Sequence, residues 1–172
     1  MTTSQLSLPF DELDYQIIQL LNQDARHSAS EIARSVGARE RTIRNRIDRL
    51  VELGALRLTA VVDPSAFGYQ TSVDIFLQVD LEREAEIVDC LLHMPEICYL
   101  AYGQGTNEMS IEARFKCNAE MYDFLKRTLP AIPGLSVTSY ALVPRILCNI
   151  DQWLPRPEDF GLPSQERPGC QD

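Results

Sequence analysis

The chain has 172 residues, with 16 Lys and Arg against 25 Asp and Glu, a formal charge of −9 and an isoelectric point near 4.7. Its 45% hydrophobic and 24% charged residues are globular values, which exclude wholesale disorder and collagen-like repetition. No apolar run reaches the ~18–20 residues of a membrane span, and the opening MTTSQLSLPFDELD lacks the basic start and apolar stretch of a signal peptide.

Five Cys, an odd number without C-x-x-C spacing, read as reduced thiols in a cytoplasmic protein, with no metal site, disulfide frame or cofactor expected. Taken whole, the acidic balance argues against nucleic acid. Its distribution argues the opposite. Residues 1–60 hold eight Arg, no Lys and eight acids, so the whole −9 belongs to residues 61–172. Between Arg39 and Arg49 there are five Arg against Glu40 and Asp48. Guanidinium suits bidentate phosphate and guanine contacts.

Three short helices are predicted first. One runs from about residue 11 to 22, with Asp11, Glu12 and Asp14 in its first turn, where the helix dipole favours acids, and Leu13, Ile17, Leu20 and Leu21 on its apolar side. A second opens on the capping box that starts at Ser28 and ends with Glu31, and stops at Gly37; Ile32, Ala33 and Val36 form its stripe. The third runs from about residue 39 to 53 and buries Ile43, Ile47, Leu50 and Val51. Only Gly37 and Ala38 separate the second and third helices, a turn that forces a sharp crossing. That is the helix-turn-helix arrangement, whose second helix enters the DNA major groove.

At 100° per residue, Arg41 and Asn45 lie opposite the buried stripe, with Thr42, Asp48 and Arg49 beside them and Arg44 and Arg46 nearer the sides. The DNA-binding set is therefore Arg39, Arg41, Thr42, Arg44, Asn45, Arg46 and Arg49. Arg41 and Asn45 are placed for base edges and the flanking Arg side chains for phosphates. A solvated helix face also carries charge, but an Arg cluster opposite the core, directly after a tight helix–helix turn, favours DNA. The run from Ala55 to Val62 is strand-like, short enough for a wing or a connecting strand, with Arg57 in reach of a phosphate.

A linker is placed at residues 63–70, where Asp63 and Pro64 begin a turn-rich stretch. A period-two strand follows from Ser72 to Leu81, then a helix from Glu84 to His93 with Ile87, Val88, Leu91 and Leu92 inward. Strands from Ile97 to Tyr102 and Met109 to Phe115 flank a hairpin-like loop from Gly103 to Glu108; Asn118 caps a helix, and a last strand runs from Leu135 to Val143.

This βαββαβ order predicts a ferredoxin-like (split βαβ) α+β domain over residues 71–150, behind the helix-turn-helix domain placed at residues 1–62. Strict alternation puts Phe76, Leu100, Tyr102, Tyr140 and Leu142 on the sheet face without helices, an apolar surface that asks for a second copy. The Pro-rich tail, residues 151–172, is expected to be anchored by Trp153 and otherwise extended or mobile.

Several segments together resemble the leucine-responsive/asparagine-regulator (Lrp/AsnC, or feast/famine) transcription factors. They are the Leu13-Asp14 start with Ile17, Ile18, Leu20 and Leu21; the capping segment from Arg26 to Ala33; Val36-Gly37; Arg46-Ile47 with Arg49-Leu50; the Gly54-Ala55-Leu56 exit; Asp63-Pro64 with Phe67-Gly68-Tyr69; Gly105 to Glu108; and Leu129 to Leu135. The resemblance covers about residues 13 to 150. It implies DNA binding by a winged helix-turn-helix, homodimers that assemble further, and an amino acid or related small-molecule effector held between effector domains. It places that effector at Gly103, Gly105, Thr106, Asn107 and Glu108. Two residues depart from the family pattern: Glu108 stands where Asp is usual, and Arg39 stands where the recognition helix often has a Ser cap.

Two other readings compete. Siroheme decarboxylases resemble this architecture, which would make the chain an enzyme; a co-regulator whose helix-turn-helix no longer binds DNA is the other. The two His, His27 and His93, lie near no candidate nucleophile or carboxylate dyad in sequence, and no phosphate loop, metal motif or Ser/His/Asp arrangement occurs. No catalytic residue is assigned.

Overall fold

The computed structural model describes residues 10–103, 105 and 107–163. The chain divides into a helical unit, Met1–Val61 with Cys148–Asp172, and a sheet unit, Val62–Leu147.

In the helical unit, α1 (Glu12–Gln23) starts at Asp11 with a reciprocal cap: the Asp14 N–H donates to Asp11 Oδ1 and the Asp11 N–H to Asp14 Oδ2, each at 3.1 Å. The next helix, α2 (Ala29–Val36), starts at Ser28, whose Oγ accepts from the Glu31 N–H at 3.3 Å while the Ser28 N–H donates to Glu31 Oε2 at 2.8 Å. Each box satisfies amides that the helix itself leaves unpaired. Gly37 then turns at φ +70°, a left-handed conformation a side chain would strain, and delivers the chain into α3 (Glu40–Glu52). Ile17, Ile32, Ile43 and Leu50 are fully buried where the three helices meet. Each such side chain contributes roughly 1.5–3 kcal/mol of burial.

Two expectations for this unit change. The run after Gly54 is extended but pairs with no strand among the described residues, and Leu58, Val61 and Val62 are exposed. Among the described residues its apolar side chains meet no second strand, so no wing closes there. Trp153 does not anchor the tail either: it is 64% exposed. Phe160 does, 7% exposed at the end of the short turn Pro157–Phe160, with its ring centroid 5.0 Å from that of Tyr15 and 6.1 Å from that of Phe10. Leu154 and Leu162 pack on the same cluster.

The sheet unit runs β1 (Thr71–Val79), α4 (Glu84–Leu92), β2 (Ile97–Tyr102), β3 (Glu108–Phe115), α5 (Asn118–Asp123) and β4 (Leu135–Leu142). Its four strands are antiparallel in the order β2-β3-β1-β4. This is the split βαββαβ arrangement, with Val73, Ile75, Leu77, Ile111, Ala113 and Phe115 of the sheet packed under Ile87, Leu91, Met121 and Phe124 of the helical segments. A π turn, Phe124–Thr128, and a 3-10 turn, Leu129–Ala131, carry the chain on from α5. Asn118 is not the cap; Cys117 occupies the N-cap position, and Asn118 Oδ1 instead accepts from Thr71 Oγ1 at 3.2 Å. Leu92, expected inward, is 65% exposed at the last turn of α4.

The open sheet face differs most from expectation. Paired residues of an antiparallel ladder share a face, and Leu100 pairs with Ile111, Tyr102 with Met109, Tyr140 with Ile75 and Leu142 with Val73, all buried core partners. Only Phe76, opposite Ser110 and Ser139, lies on the open side. Irregularities at Cys98 in β2 and at Thr138 in β4 each insert one residue and reverse the alternation beyond it. The uncovered face is mainly polar and small: Ser72, Asp74, Gln78, Glu112, Arg114 and Ser139 share it with Phe76 and Tyr99. Tyr102, on the helix side, donates its hydroxyl to Glu84 Oε1 of α4 at 2.9 Å, and that carboxylate pushes the phenol pKa up.

Candidate DNA-binding surface and effector loop

The outer side of α3 presents Arg41, Thr42 and Asn45 to solvent, with Arg39, Glu40, Arg44 and Asp48 around them. Arg39 stands at the N-cap with no side-chain cap bond, so the first amides of α3 point outward unpaired by it. These amides and the positive end of the helix dipole favour an anion at this end. Arg44 is held by Glu40 one turn earlier, Nη2 to Oε1 at 2.6 Å, an exposed pair.

Arg46 and Arg49 are placed differently. Asp14 is the one buried polar or charged residue among those described, at 0% exposure. Arg46 Nη1 donates to both its oxygens, at 3.1 and 3.0 Å, and lies 2.8 Å from Asp11 Oδ2. Arg49 Nη1 reaches Asp14 Oδ2 at 3.4 Å, with its guanidinium carbon 6.0 Å from the centre of the Phe10 ring. Both Arg therefore fasten α3 to α1. Burial pushes the Asp11 carboxyl up, but the bonds from the Asp14 N–H and from Arg46 outweigh it and hold it below the ordinary range. The same desolvation lowers Arg46, and its bonds to Asp11 and Asp14 raise it beyond the usual guanidinium value.

Sequence reasoning missed Asp14 as a structural charge. The signal was present: Asp14, Ile17, Ile18 and Leu21 fall at helical spacing on the buried side.

In the loop between β2 and β3, the Gly103 N–H donates to the Glu108 carbonyl at 2.8 Å and the Gly105 N–H donates to Glu108 Oε2 at 3.2 Å. Glu108 thus folds back over its own loop. A Cβ on Gly105 would sit 2.5 Å from Glu108 Cδ, so any side chain there would swing the Glu108 carboxylate off the loop. Asn107 adopts φ +71°; its carbonyl accepts from the Val79 N–H at 2.8 Å, and its Oδ1 is buried without a partner among the described residues. Thr106 lies outside the described residues.

A cavity of about 580 Å³ opens at the other end of the sheet, against Tyr69, Arg114, Lys116, Glu120 and Asp123, and a smaller apolar one of about 220 Å³ lies between α4 and β2. Neither is lined by the loop. Among the described residues no three His, Cys, Asp or Glu side chains gather as a metal site. His93 Nδ1 is 2.7 Å from the Asp89 carbonyl, and its side chain is 77% exposed. Burial pushes the Cys98 thiol up, away from the reactive thiolate. No described helix is long and apolar enough to cross a membrane.

A helix-turn-helix with an Arg-bearing outer helix, followed in sequence by a ferredoxin-like sheet unit, is the composition of a helix-turn-helix regulator with a second domain. Residues 10–51 match the AsnC-type helix-turn-helix domain. Over 139 residues the chain is 32% identical to the HTH-type transcriptional regulator FL11 of Pyrococcus horikoshii, covering 80% of this chain and 91% of that protein. Its fold matches that of AsnC from E. coli with a TM-score of 0.71 at 21% identity, over 83% of this chain and 98% of that one. It also matches a Neisseria meningitidis transcriptional regulator solved in complex with L-Met, TM-score 0.75 at 17% identity, over 81% of this chain and 93% of that one. The chain belongs to the AsnC/Lrp family of helix-turn-helix transcriptional regulators.

Proposed function

We propose that this protein is a cytoplasmic, sequence-specific regulator that docks α3 in the major groove and changes its assembly or DNA affinity when a small molecule binds between sheet units of an oligomer. The observation that carries the reading is the outward trio Arg41, Thr42 and Asn45 on the helix after the Gly37 turn. Arg41 and Asn45 read base edges, Thr42 assists, and Arg39 and Arg44 take phosphates. Arg46 and Arg49 hold the helix from behind. The effector, an amino acid or related metabolite, meets the loop of Gly103, Gly105, Thr106, Asn107 and Glu108. The neighbour bound to L-Met supports that class of ligand.

Because the Glu108 carboxylate engages the Gly105 amide, a ligand at this loop competes with, or builds on, that bond. Linkage requires the ligand to bind the assembly states unequally. Nothing in this reading asks the protein for catalysis.

A salt-dependent shift assay tests it. DNA affinity falls steeply with salt, with slope about −0.9 per phosphate neutralised. Arg41→Ala and Asn45→Ala each cost about 1–3 kcal/mol at the preferred site and relax its sequence, whereas Arg44→Ala weakens all duplexes alike. Salt-insensitive or absent binding by the intact oligomer overturns the regulator; a haem-like absorbance on purification favours the decarboxylase-like alternative.

A further inference from the structure

The segment beyond Cys148 folds with the helical unit, although it follows the whole sheet unit in sequence. Its buried end, Phe160, sits against Phe10 and Tyr15 at the start of α1. Phe10 in turn lies beneath the Arg49 guanidinium. Arg49 and Arg46 project from the inner side of α3 onto Asp14, one residue before Tyr15. A continuous set of contacts therefore runs from Phe160 through Phe10 and α1 to the back of the helix whose other side carries Arg41 and Asn45.

We infer that residues 154–162 form a strap that positions α3 for DNA recognition, with Phe160 as a positioning residue that acts through Phe10, Asp14 and Arg49.

The physical basis is the number of restraints on α3. It meets α2 through a two-residue turn, and α1 through an ion cluster whose geometry depends on where the start of α1 lies. Phe10 precedes the Asp11 cap, outside the helix, and its ring packs against Phe160 and lies under the Arg49 guanidinium. Removing the Phe160 ring leaves a hole beside the Phe10 ring, and the Arg49 and Asp14 contacts lose their fixed backing. A bidentate contact to a base tolerates little movement of the helix that carries it, whereas a phosphate contact tolerates more. The strap therefore matters more for sequence-specific than for general DNA binding. Trp153, exposed on the same segment, has no part in this path.

The inference rests on the DNA-binding reading, and the experiment separates the two. The full-length wild type selects its best duplex from a random library of about 20 base pairs, two helical turns. Wild type, Phe160→Ala and Phe160→Leu are then titrated with that duplex and with a scrambled one, and the melting of the helical unit is followed by hydrogen exchange. The expected result is a loss of about tenfold or more for the selected duplex in Phe160→Ala, a smaller loss of about threefold or less for the scrambled one, and near-recovery in Phe160→Leu, which refills the space. Unchanged affinity for the selected duplex overturns the inference. An equal loss on both duplexes, with melting of the helical unit, also overturns it, since the strap would then serve folding alone. Failure of the wild type to select any duplex sinks the DNA reading and the inference together.

Discussion

Among the described residues the sheet unit gathers fifteen buried apolar side chains in one cluster with no buried charge among them, whereas the helical unit gathers nine and adds Asp14, wholly removed from solvent between two Arg. The first is held by apolar area, which is non-directional and tolerates some repacking. The second depends on a few directional contacts reaching 32 and 35 residues along the chain. A buried ion pair adds little net stability, but breaking it from one side is costly because a charge is left without its partner. The contrast matches what each unit has to do. A reading helix needs a fixed orientation, and directional contacts supply one.

The largest test of the comparison is Asp14→Ala. It takes the buried partner from Arg46, which keeps its Asp11 contact, and from the partly exposed Arg49, and costs about 3 kcal/mol or more in the helical unit, read from urea melts of that unit with the sheet unit unmoved. Next, Ile75→Ala at the centre of β1 removes a fully buried side chain and costs about 2–5 kcal/mol, confined to the sheet unit. Equal losses in both units for either variant would show that they melt as one body and erase the distinction.

Acid should separate the two further. In the helical unit, Asp11 is held below its ordinary value as described above, Asp24 far below by the Arg26 side chain, and Glu31 by the Ser28 amide; in the sheet unit the Ser65 hydroxyl and amide hold Asp63 down. A carboxyl lowered in the folded state binds fewer protons there than when unfolded. Its contribution is therefore present above the ordinary carboxylate range, about pH 4, and is lost as the pH falls toward the folded value. Amide exchange followed from pH 7 downward should show α1 and α2 opening before β1 and β3. The smallest effect is at Arg39: Arg39→Ser supplies the missing cap of α3 and stabilises the helical unit by about 1 kcal/mol without DNA, measured by thermal melting. A less stable variant would show that the Arg39 charge is already compensated.

Local patterns made the helices and the strand order readable. The caps at Asp11 and Ser28, the Gly37 stop and the period-two run of β1 are signals within a few residues of one another. The resemblance carried the family. The open sheet face was misread because counting by twos assumes an unbroken ladder, and one inserted residue at Cys98 or Thr138 moves every later side chain to the opposite face. The charge map found the Arg cluster on α3 but not which Arg faces inward. That depends on Asp14, whose burial is a tertiary fact with only a faint mark in its spacing. Phe160, in a Pro-rich stretch, gave no periodic signal at all.

The helical unit is discontinuous in sequence, and the sheet unit lies between its two parts. During synthesis, α1, α2 and α3 emerge well before Phe160, so the aromatic cluster around Phe10 and Tyr15 stays unfinished until the sheet unit has been made. A fragment cut after Val61 should therefore contain the three helices without the residue that completes their packing, and a transplanted reading head needs the strap supplied with it. Seen from the helical unit, the sheet unit is a folded insertion closing a long loop, and because loop-closure cost rises only slowly with length, about 0.6 kcal/mol per doubling, such an insertion can lengthen with little penalty.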